Sequence, residues 1–164
     1  KLWYIVKDNT GMEWYIMVAI GSDHGGYKLK EEIKKYLDEQ GIEYKDYGTY
    51  SEERTDYPIY GKKVAEAVSK KEADQGILIC RSGCGMTVVA NKYKGVRAAT
   101  MYDEIAAKLA KEDDDINVLT IGADYVTVSQ AISVIRNWIG AKFKGGRYGE
   151  RLNLVEEIEN ENMK

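Results

Sequence analysis

A chain of 164 residues, 44% of them hydrophobic, is long enough to bury one continuous core, so one domain is the default. Its formal net charge of −3 gives no bulk attraction for polyanions, which argues against nucleic acid as a partner, and no apolar run approaches the ~20 residues of a membrane span. Two cysteines and one histidine make neither a disulfide framework nor a zinc set, so no metal is expected and a reducing, cytoplasmic setting is.

Residues 1–16 hold a short apolar run, residues 2–6, that Lys7 and Asp8 interrupt, and so do not read as a signal peptide. Two readings stay open for them. In one they are an extension not native to the protein, because codons for Gly11-Met12-Glu13 can form a purine-rich ribosome-binding sequence ahead of Met17. In the other, residues 2–6 pair with residues 13–16 as a hairpin around Asp8-Asn9-Thr10-Gly11. Residues 17–164 read as one domain. A short apolar strand over 17–21 precedes a helix over 27–40, whose apolar residues at 29, 33, 36 and 37 share a face and which Gly41 terminates. A strand over 44–47, a polar loop over 49–57 and a helix over 58–70 follow. The only proline, Pro58, opens that helix, where its missing N–H leaves no bond unmade. Residues 76–80 form the third strand, 83–92 a small-residue helix, 96–101 the fourth strand and 103–112 its helix. The fifth strand is 117–121, and helices over 128–141 and about 150–163 close the chain. The last is highly charged outside Leu152, Leu154, Val155 and Ile158, so it lies on the surface or against a second subunit. This alternation predicts a parallel sheet with right-handed crossovers and helices on both faces.

The chemistry is expected in GILICRSGCGMT, from Gly76 to Thr87. An apolar strand ending in a glycine-punctuated turn before a helix is where an open α/β sheet presents backbone N–H groups to an anion. Cys80 at its mouth can feel those groups, the helix N-terminus and the Arg81 cation, all of which favour thiolate. The alternative is a buried strand cysteine whose following glycines only allow close helix packing. Cys84, between two glycines, reads as a small filler, and its spacing from Cys80 is not the C-x-x-C of a redox motif. The first strand ends at Gly21-Ser22-Asp23-His24-Gly25-Gly26. Asp23 and His24 are either an acid/base pair or a capping turn in which Asp23 satisfies helix N–H groups. Arg147 and Arg151 stand four residues apart and share a helix face if a helix starts there. They either grip a phosphate or form a solvated basic end paired with Glu150 and Glu156.

The strings GSDHGGYKLKEEIKKYL, YGTYSEERTDYP, ADQGILIC with its Ser-Gly-x-Gly-Met loop, ANKYKGVRAA, NVL and FKGGR followed by Arg151 resemble the type B ribose-5-phosphate isomerase family. That family also contains galactose-6-phosphate and allose-6-phosphate isomerases, and the match runs in order from Met17 to about Ile158. The resemblance implies a three-layer α/β/α, Rossmann-like sandwich around a five-stranded parallel sheet, assembled as a homodimer or homotetramer with shared active sites. It implies no metal and no organic cofactor, and a sugar phosphate as the small-molecule partner. The implied reaction interconverts ribose 5-phosphate and ribulose 5-phosphate through a cis-enediol. By the same resemblance Cys80 shuttles the proton between C2 and C1. Ser82, Gly83 and Gly85, with Cys84 between them, cradle the enediolate oxygen. Asp23 and His24 contact the sugar and its phosphate end, Tyr57 lines the pocket, and Arg147 and Arg151 bind phosphate. One branch of the family places a glutamate where Met86 stands, which leaves Cys80 as the base this loop offers.

Several positions depart from the family pattern. Where the family reads Arg-Glu-His-Asn-Asp-x-Asn-Val-Leu, residues 111–119 read KEDDDINVL, so Asp113 takes the place of the ring-opening histidine and Asp114 that of its asparagine neighbour. A carboxylate at 113 can still do acid/base work. Tyr148 replaces a histidine, Arg81 a glycine, and Asp124 an arginine near the phosphate. Exchanging cation for anion beside a phosphate reverses an interaction of order several kcal/mol. Either Arg81 compensates as a substrate contact with the phosphate placed differently, or the substrate is not ribose 5-phosphate; the alternatives are a divergent isomerase of a hexose 6-phosphate or another sugar, and a non-catalytic sugar-phosphate binding protein.

Overall fold

The computed structural model describes residues 5–7, 10–11 and 13–163. A hairpin of β1 (Ile5–Lys7) and β2 (Glu13–Tyr15) comes first. Strand and helix then alternate as β3 (Met17–Ser22), α1 (Tyr27–Glu39), β4 (Glu43–Asp46), α2 (Tyr57–Ser69), β5 (Gln75–Cys80) and α3 (Cys84–Ala90). They continue as β6 (Ala98–Thr100), α4 (Glu104–Asp114), β7 (Val118–Gly122), α5 (Val128–Ile139) and α6 (Arg147–Asn162). Strands β3 to β7 form one parallel sheet in the order β4-β3-β5-β7-β6.

Central β5 is buried at every residue, because helices cover both faces of a parallel sheet. Its side chains alternate between two cores. Ile77 and Ile79 join Val18, Ile20, Leu119 and Ile121 against α1 and α5, while Leu78 and Cys80 join α2 and α3 on the other face. The two layers of helix and the sheet between them make the three-layer α/β/α sandwich. Trp138 of α5, fully buried, donates its indole N–H to the Ile116 carbonyl at 2.9 Å and so ties the helix to the loop before β7. At the other end of α5, Thr127 and Gln130 form a reciprocal capping box.

Most element ends shift from expectation by one or two residues, and three of the differences bear on the site. β6 is only three residues long, because the Arg97 N–H donates to Asn117 Oδ1 and the Ala98 N–H to Asn91 Oδ1. Helix α3 starts at Cys84 rather than residue 83, since Gly83 has φ +80° and stands outside it as the cap. Helix α6 starts at Arg147 instead of about residue 150, which brings both arginines onto one helix. The N-terminal segment contains the hairpin, paired from Ile5↔Tyr15 to Lys7↔Glu13 in a sheet separate from the main one. Residues 2–4, 8 and 9 of the expected hairpin lie outside the described residues. Helix α6 has no buried residue and leaves Leu154, Val155 and Ile158 exposed. Among the described residues no helix is long and apolar enough to cross a membrane.

A charge network fixes the loop after β4. Lys30, fully buried on the inner side of α1, donates to Asp46 Oδ1 at 2.6 Å and to the Thr49 carbonyl at 2.5 Å. Asp46 also accepts from Lys34 Nζ and from the Gly48 N–H, each at 2.9 Å. Burial pushes the Asp46 carboxyl up, but the bonds from Lys30, Lys34 and Gly48 outweigh it and hold the group below the usual carboxylate range. A carboxyl depressed in the folded state contributes stability that is present above its unfolded value, ~3.9, and is lost as pH falls through the lower folded value. Asp46→Asn leaves a buried ammonium short of its counter-charge and is expected to cost about 3 kcal/mol at pH 7 in chemical unfolding. The variant should also lose less stability than wild type on acidification below about pH 4. Equal acid sensitivity in the two proteins would contradict this role.

Candidate active site

The carboxyl end of β5 delivers Cys80, 5% exposed, to a turn that leaves little room for side chains. Gly83 takes the left-handed conformation that glycine adopts without strain, and a Cβ there would lie 2.9 Å from Thr100 Cγ2 and 3.1 Å from the Gly122 nitrogen. The turn directs the Gly83 N–H onto Cys80 Sγ at 3.1 Å. A hydrogen-bond donor on the sulfur stabilises its anionic form. One residue further, the Cys84 N–H donates to Ser82 Oγ at 3.2 Å. Both cysteines are free thiols, Cys80 buried and Cys84 exposed.

Two other segments face the same end of the sheet. Asp23 is buried and accepts the Gly26 N–H at 3.0 Å, so it does cap its turn. His24 is half-buried, with Nδ1 3.2 Å from the Thr55 nitrogen and 3.0 Å from the Thr55 carbonyl, which pins the ring to the loop after β4. The Tyr57 ring lies over Gly85, where an added Cβ would meet its atoms at 2.7 Å. Met86 is fully buried among α2 and α3 residues, its sulfur 3.1 Å from where a Cβ at Gly61 would lie. The stem of Arg81 crosses Gly25, whose Cβ would lie 2.6 Å from Arg81 Cγ, and its guanidinium reaches Asp124 at 3.8 Å. Both side chains are more than half exposed, so this pair contributes at most about 1 kcal/mol. Its consequence is local charge balance: the two departures at 81 and 124 face each other.

Asp113, Asp114, Arg147 and Arg151 lie elsewhere. Helix α4 runs antiparallel to the strands, so its last residues, Asp113 and Asp114, sit near the start of β7, at the amino end of the sheet. Along β5 the amino end at Gly76, which pairs with Val118, is separated from Cys80 by four residues, about 13 Å. Lys144 binds this corner, its N–H on the Glu112 carbonyl at 2.9 Å and its ammonium on Asp113 at 2.7 Å. Arg147 and Arg151 follow on the exposed start of α6, both over the Tyr148 ring. The structure thus brings Cys80, Ser82, Gly83, Cys84, Gly85, Asp23, His24, Tyr57 and Arg81 to one end of the sheet. It leaves the two aspartates and the two arginines at the other. A groove of about 530 Å³ between α6 and residues 95–97 also lies at that far end and contains none of the β5 turn.

Sequence reasoning missed two features beside the turn. The Tyr102 hydroxyl donates to the Ser82 carbonyl at 2.6 Å. Beneath the turn, the hydroxyls of Thr87, Thr100 and Thr120 lie 2.6–2.8 Å from one another, and Thr87 also reaches the Gly83 carbonyl at 3.2 Å. The rule that α/β sheets place their chemistry at strand carboxyl ends would have marked Tyr102, two residues beyond β6, for attention. No periodicity marks the threonines, which meet only because β6 and β7 are neighbours.

A parallel α/β sandwich with a thiol under a glycine turn at the carboxyl end of its central strand belongs to the class that binds small anionic substrates at strand ends. Residues 18–155 match the Ribose/Galactose Isomerase family model. The chain is 43% identical over 142 residues to ribose-5-phosphate isomerase B of Escherichia coli (strain K12), covering 87% of this chain and 95% of that protein. It is 39% identical to ribose-5-P isomerase B of Listeria innocua, covering 88% and 98%. Among solved structures it is similar to Clostridium thermocellum ribose-5-phosphate isomerase B, with TM-score 0.87 and 42% identity over 89% of this chain and 99% of that one. It is also similar to the Mycoplasma genitalium protein solved with bound ribulose-5-phosphate, with TM-score 0.85 and 37% identity over 89% and 97%. The chain belongs to the ribose/galactose isomerase family.

The contact of Tyr57 with Gly85 can be measured without substrate. Gly85→Ala is expected to lower unfolding stability by about 1–3 kcal/mol, and most of that cost should vanish in a Tyr57→Ala background. An equal cost in both backgrounds would show that the ring does not rest on the turn.

Proposed function

We propose that the protein interconverts ribose 5-phosphate and ribulose 5-phosphate, with Cys80 as the base. The observation that carries this reading is the Gly83 N–H on Cys80 Sγ at the end of β5, a thiol provided with a fixed donor in a turn rich in backbone N–H groups. Family membership and the relative solved with ribulose-5-phosphate support the substrate. In the open-chain aldose, the Cys80 thiolate takes the C2 proton and the electron pair moves onto O1, giving an enediolate. The proton on O2 passes to O1, and Cys80 returns its proton to C1, which leaves the ketose. The Gly83 N–H faces the sulfur and the Cys84 N–H the Ser82 oxygen, so the Gly85 N–H and the Ser82 hydroxyl are the donors that stabilise the oxygen on which charge develops. Asp23 and His24 hold the sugar, Tyr57 closes one wall, and Arg81 adds a cation at the rim. No metal or organic cofactor is needed for these steps, and a cytoplasmic setting fits two free thiols.

The remaining assignments need a second copy of the chain. Asp113 for ring opening, Asp114 for substrate contact, and Arg147 and Arg151 for the phosphate all lie at the opposite end of the sheet from Cys80. They complete the site only if one subunit presents its far end to the β5 turn of another. The apolar residues left exposed on α6 suit that contact. We therefore propose a homodimer, or a tetramer built from such dimers, with residues 17–164 as the isomerase domain.

Cys80→Ala is expected to reduce kcat by at least about 10³-fold, as removal of a catalytic base does. Sharing of the site has its own signature. Mixing Cys80→Ala subunits with Arg147→Ala/Arg151→Ala subunits, each nearly inactive alone, should restore about a quarter of wild-type activity after random reassortment, because half of the dimers are mixed and each has one intact site. No recovery despite proven subunit exchange would contradict the shared site. The family model covers galactose as well as ribose isomerases, which leaves one other substrate reading, a six-carbon sugar phosphate. A panel of aldose phosphates tests it: the proposal expects the highest kcat/KM on ribose 5-phosphate.

A further inference from the structure

Three consecutive carbonyls of the turn after β5 are tied to neighbouring strand ends. Those of Cys80 and Arg81 accept the backbone N–H groups of Ala123 at 2.9 Å and Asp124 at 3.1 Å. The Ser82 carbonyl is held instead by a side chain, the Tyr102 hydroxyl at 2.6 Å, with Cys84 Sγ more distant at 3.9 Å. That carbonyl belongs to the same peptide unit as the Gly83 N–H, which donates to Cys80 Sγ. A trans peptide is planar and its C=O and N–H point in opposite directions, so fixing one end aims the other. A donor on the carbonyl also polarises the unit and strengthens its N–H as a donor.

The surroundings are shaped for this contact. A Cβ at Gly122 would lie 2.6 Å from the Ser82 carbonyl oxygen and 2.9 Å from the Tyr102 hydroxyl, so only glycine lets the two meet. The Tyr102 ring is braced edge-on by Tyr125, with centroids 6.0 Å apart. Burial, followed by the proximity of Cys84, Tyr125 and Cys80, raises the Tyr102 phenol above its ordinary value, so it keeps the proton it donates.

We infer that Tyr102 is a positioning residue for the isomerisation: its hydroxyl fixes the Ser82–Gly83 peptide so that the Gly83 N–H stays on the Cys80 sulfur. The inference rests on Cys80 as the base. It concerns a residue that acts through one peptide unit and touches no reacting atom.

Tyr102→Phe in the intact protein keeps the ring and removes the hydroxyl. Amide hydrogen exchange at Gly83, followed by NMR, is expected to accelerate at least about tenfold while amides in the middle of β5 and β7 keep their rates. For ribose 5-phosphate, kcat is expected to fall about tenfold with KM changed by less than about twofold. Gly122→Ala, which pushes the same two groups apart, should reproduce both effects. Unchanged Gly83 exchange in Tyr102→Phe would overturn the inference, and so would a change confined to KM. Wild-type turnover in Cys80→Ala would defeat the base assignment instead. The two failures are distinguishable because Gly83 exchange is read without substrate.

Discussion

The close approach of the carboxyl ends of β5 and β7 is the constraint on which the site depends. Cys80 pairs in register with Gly122, and the chain then turns through Gly83 with almost no free space between the two strands. A side chain at Gly122 would strike the Ser82 carbonyl, and one at Gly83 would strike the Gly122 nitrogen. Because the backbones touch, the carbonyls after Cys80 can bond to the turn after β7, and the Gly83 N–H is left to face the sulfur. The thiol's environment therefore comes mostly from backbone, held by the sheet itself. Backbone donors fixed in this way need no rearrangement when charge develops, which is the property that electrostatic catalysis requires.

The same sheet that builds the thiol end of the proposed site separates it from the charged end. A helix returning antiparallel to the strands must end at their amino edge, so the acidic end of α4 cannot reach Cys80 of its own chain. Lys144 then collects Asp113 and Glu112 at that edge and seats the start of α6 beside them. Topology alone thus divides the implicated residues into a thiol end and a charged end. The proposed self-association would reunite them at no cost in fold, and the poorly anchored α6 is the element available to make that contact.

Much of the fold was legible because it rests on local pattern. The β5 segment is a continuous apolar run because both its faces are covered, and α2 begins beside the only proline. The thiol turn was also legible, since Cys80, Gly83 and Gly85 are close in sequence and their geometry is set by glycine. What was not legible depends on strand order. Nothing local tells that β7 lies between β5 and β6, yet this order brings Tyr102 to Ser82, joins Arg81 to Asp124 and clusters the hydroxyls of Thr87, Thr100 and Thr120. The start of α6 was misplaced for a different reason. Glycines at 145 and 146 read as a loop that continues past Arg147, whereas they end just where the helix begins.

Cys80 is the group proposed to move the proton. Isomerisation of ribose 5-phosphate in D₂O, with the ketose product analysed by NMR for deuterium at C1, addresses that step directly. Each turnover in which the Cys80 proton exchanges with solvent before its return places deuterium at C1, so wild type should place it there in proportion to turnover, and Cys80→Ala, though folded and still able to bind the sugar phosphate, should place essentially none. Deuterium at C1 appearing at the wild-type rate in Cys80→Ala would contradict the assignment.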